Sequence, residues 1–196
     1  MTPFDPRNCF YLEHRARIEE WTTLEQPARA ACDAWLASLE PRFRELAHEI
    51  DPSLVVTART SSSDRWPKIL VHRADWMIAP SYPEVSIALE WYRATLTLDA
   101  RDRAPYVGVR VCNDHAPHGP TLSARLKDRL ATLRINGRLT SDYFPLYSRL
   151  CAAPGYWNDP EPYAGVLLDT LRTTWSTCVE HIDAQLAATP LPTPST

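Results

Sequence analysis

Apolar residues recur along the first quarter of the chain at three- and four-residue steps, the period of a helix with one buried face. Asp5 is placed to cap, and Pro6 to take the first position of, a helix reaching to about Trp21. Phe10, His14, Ile18 and Trp21 share one stripe of it. A second start is read at Glu25-Gln26-Pro27. From there Ala28, Cys32, Trp35, Leu39, Phe43, Leu46 and Ile50 trace a buried face, with a kink or break predicted at Pro41 and an end at Asp51-Pro52.

The period then changes to two, as expected of half-buried strands. Leu54–Thr60 and Pro67–Arg73 are predicted strands, separated by a polar turn at Ser61-Ser62-Ser63-Asp64. Asp75–Pro83 reads as irregular. In the next strand Val85, Ile87, Leu89 and Trp91 form the buried side, and Ser86, Ala88, Glu90 and Tyr92 the solvent side. The strand either continues through Leu96 and Leu98 or turns near Arg93. Tyr106–Cys112 is the last predicted strand. The short connections favour an antiparallel meander, because parallel pairs need longer crossovers.

Helical spacing returns after Pro120, where Leu122, Leu126, Leu130 and Leu133 form a stripe and Gly137 stands at a cap position. A short helical piece is predicted over Ser141–Cys151. Asn158-Asp159-Pro160 opens a final helix whose buried face runs through Ala164, Leu168, Leu171, Trp175, Cys178, Ile182 and Leu186. The expected fold is therefore α+β, an antiparallel sheet of four or five strands between N-terminal and C-terminal helices. Residues 1–188 are expected to form one domain, and the proline-rich 189–196 a flexible tail.

Composition narrows the function classes. A net charge of −3 gives no support to a nucleic-acid binder, although a local basic patch stays compatible with it. The five cysteines are odd in number, widely spaced and without a C-x-x-C pair, which argues for reduced thiols. No basic start followed by an apolar run marks a signal peptide, and no apolar stretch approaches the roughly 18 residues of a membrane span. A cytoplasmic protein is the expectation.

The densest polar chemistry is Cys112-Asn-Asp114-His115-Ala-Pro-His118, leaving the last predicted strand. Cys112, Asp114, His115 and His118 are acceptable ligands for a divalent metal such as zinc. The spacing matches no established finger or metalloprotease, Pro117 limits how the two histidines approach one ion, and a polar loop closed by Asn and Asp is the simpler explanation. Asp64 or Asp75 with Glu90 could hold a metal for phosphodiester hydrolysis. That site usually wants a lysine two residues beyond the glutamate, where this chain has Tyr92. Arg125 and Arg129, with Lys127, Arg134 and Arg138 around them, make a basic helical face that an ordinary solvated surface also explains.

The seven tryptophans carry more information. Trp21, Trp35, Trp91 and Trp175 fit core stripes. Trp66, Trp76 and Trp157 fall in irregular segments, where aromatic residues either close the core or dominate recognition. The leading expectation is a non-catalytic binding or accessory module, bacterial or phage in type, that contacts a protein partner through Trp66, Arg73, Trp76 and Trp157. The alternative is a metal-dependent hydrolase, possibly a nuclease.

Overall fold

The computed structural model describes residues 5–79, 82–93, 98–99, 103–112, 119–133, 135 and 138–188. The chain opens with helix α1 (Pro6–Ala37), capped by the Asp5 carboxylate, which accepts the Arg7 backbone N–H at 2.7 Å. The break expected between Trp21 and Pro27 does not occur: Pro27 sits inside one continuous helix. The carbonyl it fails to engage lies on an exposed stretch open to water. Strong helix formers flank it, and an i,i+4 pair from Arg29 to Glu25 spans it. The break predicted at Pro41 falls at Ser38-Leu39, where α2 (Glu40–Ile50) begins with Pro41 in its first turn. That position suits a proline, whose missing N–H would have no helical partner there.

Six strands form an antiparallel sheet in the order β1 (Val55–Arg59), β2 (Lys68–His72), β5 (Val85–Glu90), β6 (Tyr106–Val111), β8 (Leu146–Arg149), β7 (Arg138–Leu139). A short 3-10 turn (Ala74–Trp76) and a small ribbon, β3 (Met77–Ala79) with β4 (Tyr82–Pro83), fill the segment between β2 and β5. The first four strands of the sheet follow the expected meander. The helix predicted over Ser141–Cys151 is replaced by β8, which pairs with β6 from Tyr106↔Arg149 to Val109↔Leu146. Two features override the local helical spacing there: an open β6 edge to pair with, and Gly108. A Cβ on Gly108 would lie 2.5 Å from the Tyr147 Cβ and 2.3 Å from the Leu146 carbonyl oxygen, so glycine admits the close approach of β8.

Helix α3 (Gly119–Leu130) and the long helix α4 (Glu161–Ala187) pack with α2 on one face of the sheet. Ile69, Val71, Ile87, Leu89, Val107 and Val109 from that face join Phe43, Leu126, Leu171 and Trp175 in the main core. On α4 the sequence stripe holds, with Leu167 taking the fully buried place expected of Leu168. The opposite face of β5 is not the solvent side that alternation predicts, because Ser86, Ala88 and Glu90 are all buried. Leu70, Ala88 and Phe144 make a second, smaller cluster there with Tyr106 and Tyr147 packed against it. Among the described residues no helix is long and apolar enough to cross a membrane.

Candidate functional site

The site is built where β2, β5 and β6 present the end marked by Lys68, Glu90 and Tyr106, which stand side by side in register. Glu90 is only 6% exposed, yet its carboxylate is fully engaged. It accepts from the Tyr106 hydroxyl at 2.5 Å, the Lys68 ammonium at 3.0 Å and Arg110 Nε at 3.3 Å. Two cations offset the cost of removing one carboxylate from water. Burial, and then the Glu90 charge, push the Tyr106 phenol upward, so it remains a hydrogen-bond donor. Two residues beyond Glu90 stands Tyr92, and Lys68 reaches the carboxylate from directly opposite on the neighbouring strand.

Past the strand ends, Arg93 ties three segments together. Its Nε donates to the Asp64 carbonyl at 2.8 Å, and Nη2 to the carbonyls of Thr60 and Ser61 at 3.0 and 2.6 Å. Its other Nη pairs with Asp33 on α1, and the second Asp33 oxygen accepts the Trp91 indole N–H at 2.8 Å. The predicted Ser61–Asp64 turn, closed by Asp64 N–H to Ser61 O at 2.9 Å, is fixed in this way to α1 and β5. Aromatic and cationic side chains crowd the space this frame leaves. Trp66 lies on Tyr92 with ring centroids 4.9 Å apart, Arg65 stands 5.4 Å from the Tyr92 ring, and Arg149 stands 5.7 Å from the Tyr106 ring.

These groups and Arg103 line a cavity of about 320 Å³. It shares Arg65, Tyr92 and Arg103 with a broader depression of about 590 Å³ that α1 walls with Glu25, Arg29 and Asp33. A smaller recess of about 120 Å³ on the sheet face adds Arg59, Lys68 and Arg110 around Leu70. One end of the sheet therefore carries a cleft with arginines and aromatic rings at its rim, Trp66 the most exposed of them, beside the ion pairs of Lys68, Glu90 and Arg110.

The residues expected to bind do not converge. Trp66 stands at the cleft, 41% exposed. Trp76 is only 2% exposed, stacked on Trp175 at 5.5 Å, with its indole N–H donated to Asp183 at 3.0 Å. It is a core residue and offers a partner no surface. Arg73, at the same end of β2, pairs with Asp183 at 3.5 Å. Trp157 is 66% exposed, set edge-on to Tyr156, and borders a separate apolar cavity of about 220 Å³ with Cys32 and Trp35. Arg29 and Asp33 line the cleft, whereas Ala31, Cys32 and Trp35 line the Trp157 cavity, so Trp66 and Trp157 flank opposite faces of α1.

Of the expected metal ligands, Asp114, His115 and His118 lie outside the described residues. Cys112 is buried at the edge of the 120 Å³ recess, its backbone N–H donated to the Glu84 carbonyl at 2.9 Å. Asp64 borders that recess, but Asp75 lies beyond the opposite end of β2, and Glu90 is occupied by its three donors. Among the described residues no group of three His, Cys, Asp or Glu side chains is placed to share an ion. The basic helical face is also committed in part: Arg129 donates to His181 at 3.3 Å, and Arg138 to the Ala131 carbonyl at 2.5 Å. The cleft arginines escaped sequence reasoning because Arg65, Arg103 and Arg149 are far apart in the chain. The opposite charges of Lys68 and Glu90 at the ends of two predicted strands were the signal available for that end. No family model, curated protein or solved structure matches the chain.

Proposed function

We infer that the chain is a non-catalytic binding module for a protein partner, and that the cleft at the Lys68–Glu90 end of the sheet receives an acidic segment of that partner. The observation that carries this reading is Arg65, Arg103 and Arg149 gathered with Trp66 and Tyr92 around one cavity. Arginine and large aromatic residues supply most of the energy at protein interfaces. Arginine also binds carboxylates through paired N–H donors. Glu25, Asp33 and Asp64 interrupt the cationic surface beside the cleft, which disfavours a long polyanion and suits a short acidic stretch.

Fluorescence anisotropy with labelled peptides that alternate aspartate or glutamate with aromatic residues tests the reading. Binding to the wild-type chain is expected, weakened about 30-fold by Trp66→Ala, the effect of a ~2 kcal/mol hot spot. Arg65→Ala with Arg103→Ala is expected to abolish it. If a single-stranded oligonucleotide binds and the peptides do not, the protein-partner reading is wrong.

A further inference from the structure

We propose that the chain pairs with a second copy of itself through the projecting first part of α1, the two helices running antiparallel. This rests on a different part of the molecule from the cleft and does not depend on the binding reading above. From Pro6 to Leu24 every residue of α1 is exposed except Cys9 and Ile18, which are half-buried. That is about 28 Å of helix at 1.5 Å per residue, standing clear of the body. Most of the stability of a helix in a protein comes from packing an apolar face rather than from propensity, and this stretch has no such packing among the described residues. Local contacts within the helix, such as Arg15 to Glu19 at 2.7 Å, leave its large side chains wet.

Phe10, Tyr11, Ile18, Trp21 and Leu24 lie within one face by 100° steps, and four of them are 44–60% exposed. The same face continues through Ala28 into Cys32, Trp35 and Leu36, which pack on the core. A single apolar stripe thus runs the length of α1, and only its C-terminal part is covered by this chain. Its bare part carries aromatic residues of the kind that anchor interfaces.

Charge selects the occupant. Over residues 6–17 the basic Arg7, Arg15 and Arg17 outnumber Glu13, while Glu19 and Glu20 follow in residues 18–24 without a basic residue among them. A parallel pair would set like charges together. An antiparallel pair sets the cationic half of each helix against the anionic half of the other, the self-complementary pattern a two-fold contact requires. Crossing near Arg17 and Ile18 places Tyr11 level with Leu24 and brings Glu20 to the same flank as Arg17 of the second copy. Flanking charge pairs of this type decide partner and orientation between packed helices.

Sedimentation equilibrium of the full chain over a micromolar concentration series tests this. A mass of two chains is expected, with Trp21→Glu/Leu24→Glu weakening association by about two powers of ten or more. Because these positions do not touch the body, the urea midpoint measured on the monomer should not move. Arg15→Glu/Arg17→Glu and Glu19→Arg/Glu20→Arg should each fail to self-associate, yet form a heterodimer when mixed. A monomeric wild type, a mass other than two chains, or a dimer that survives Trp21→Glu/Leu24→Glu overturns the proposal. So does failure of the two charge variants to pair.

Discussion

The two ends of β2 begin from the same sequence signal and finish as different environments. A tryptophan lies just outside each end, Trp66 before Lys68 and Trp76 after His72, and neither fits a periodic stripe. At the Trp76 end α4 passes close by. Trp175 stacks on the indole, and Asp183 takes both the indole N–H and the Arg73 guanidinium. At the Trp66 end no helix among the described residues closes over the ring, and the neighbouring groups are Tyr92 and arginines around a cavity. The difference comes from which distant element arrives. An irregular tryptophan becomes core where a helix with a complementary acid covers it, and surface where the covering is missing.

The widest separation between the two ends should appear in stability. Trp76→Ala removes a stacked, buried ring and leaves Asp183 without the indole donor, so a loss of about 3–5 kcal/mol is expected. Trp66→Ala trims a ring already 41% exposed and should cost under about 1 kcal/mol. Urea unfolding of the two variants measures both. Equal losses would show that the open end is packed as tightly as the closed one, and the cleft would lose its standing as a binding surface.

A smaller effect is expected at the charged floor of the open end. Glu90→Gln keeps an acceptor for Tyr106 but leaves Lys68 and Arg110 facing each other without a counter-charge. Removing one partner from a buried ionic group is costly. Both cationic side chains keep 14% of their exposure, which softens the effect to about 2–4 kcal/mol. Adding Lys68→Met to Glu90→Gln should recover part of the loss, because one uncompensated cation is then gone. If Glu90→Gln is neutral, the three donors do not hold the strand ends as the geometry indicates.

These contrasts also mark what the sequence could convey. The α+β order, the boundaries of β1, β2, β5 and β6, the capped start of α1 and the start of α4 follow from local period, capping and turn chemistry. Legibility ends where a contact is made by residues remote in the chain. β8 depends on the free edge of β6 and on Gly108, neither visible from Ser141–Cys151 alone. Alternation assigned Glu90 to solvent, yet it is buried by Lys68, Tyr106 and Arg110 on the flanking strands. Trp66 and Trp76 could not be told apart because the deciding residues are Trp175 and Asp183, about a hundred positions away. Arg65, Arg103 and Arg149 become one feature only after the sheet has formed.

The mildest test concerns protonation at the closed end. Where the open end holds a carboxylate among cations, the closed end buries His72 with neutral partners. Nδ1 lies 2.9 Å from the Arg73 carbonyl, which can only accept, so Nδ1 carries the proton and Nε2 accepts from the Thr57 hydroxyl at 3.2 Å. Burial lowers the His72 pKa from its ordinary 6.5, outweighing the opposing pull of the Arg73 carbonyl. Between 6.5 and that lower value the unfolded chain binds a proton the folded chain refuses. Stability is therefore complete above about pH 6.5 and falls as acid is added through the window below it. His72→Gln cannot titrate there, so its urea midpoint should change less between pH 7 and 5 than that of the wild type. A steeper or unchanged slope in the variant would mean that another group governs the acid response, and that His72 accepts its charge without cost.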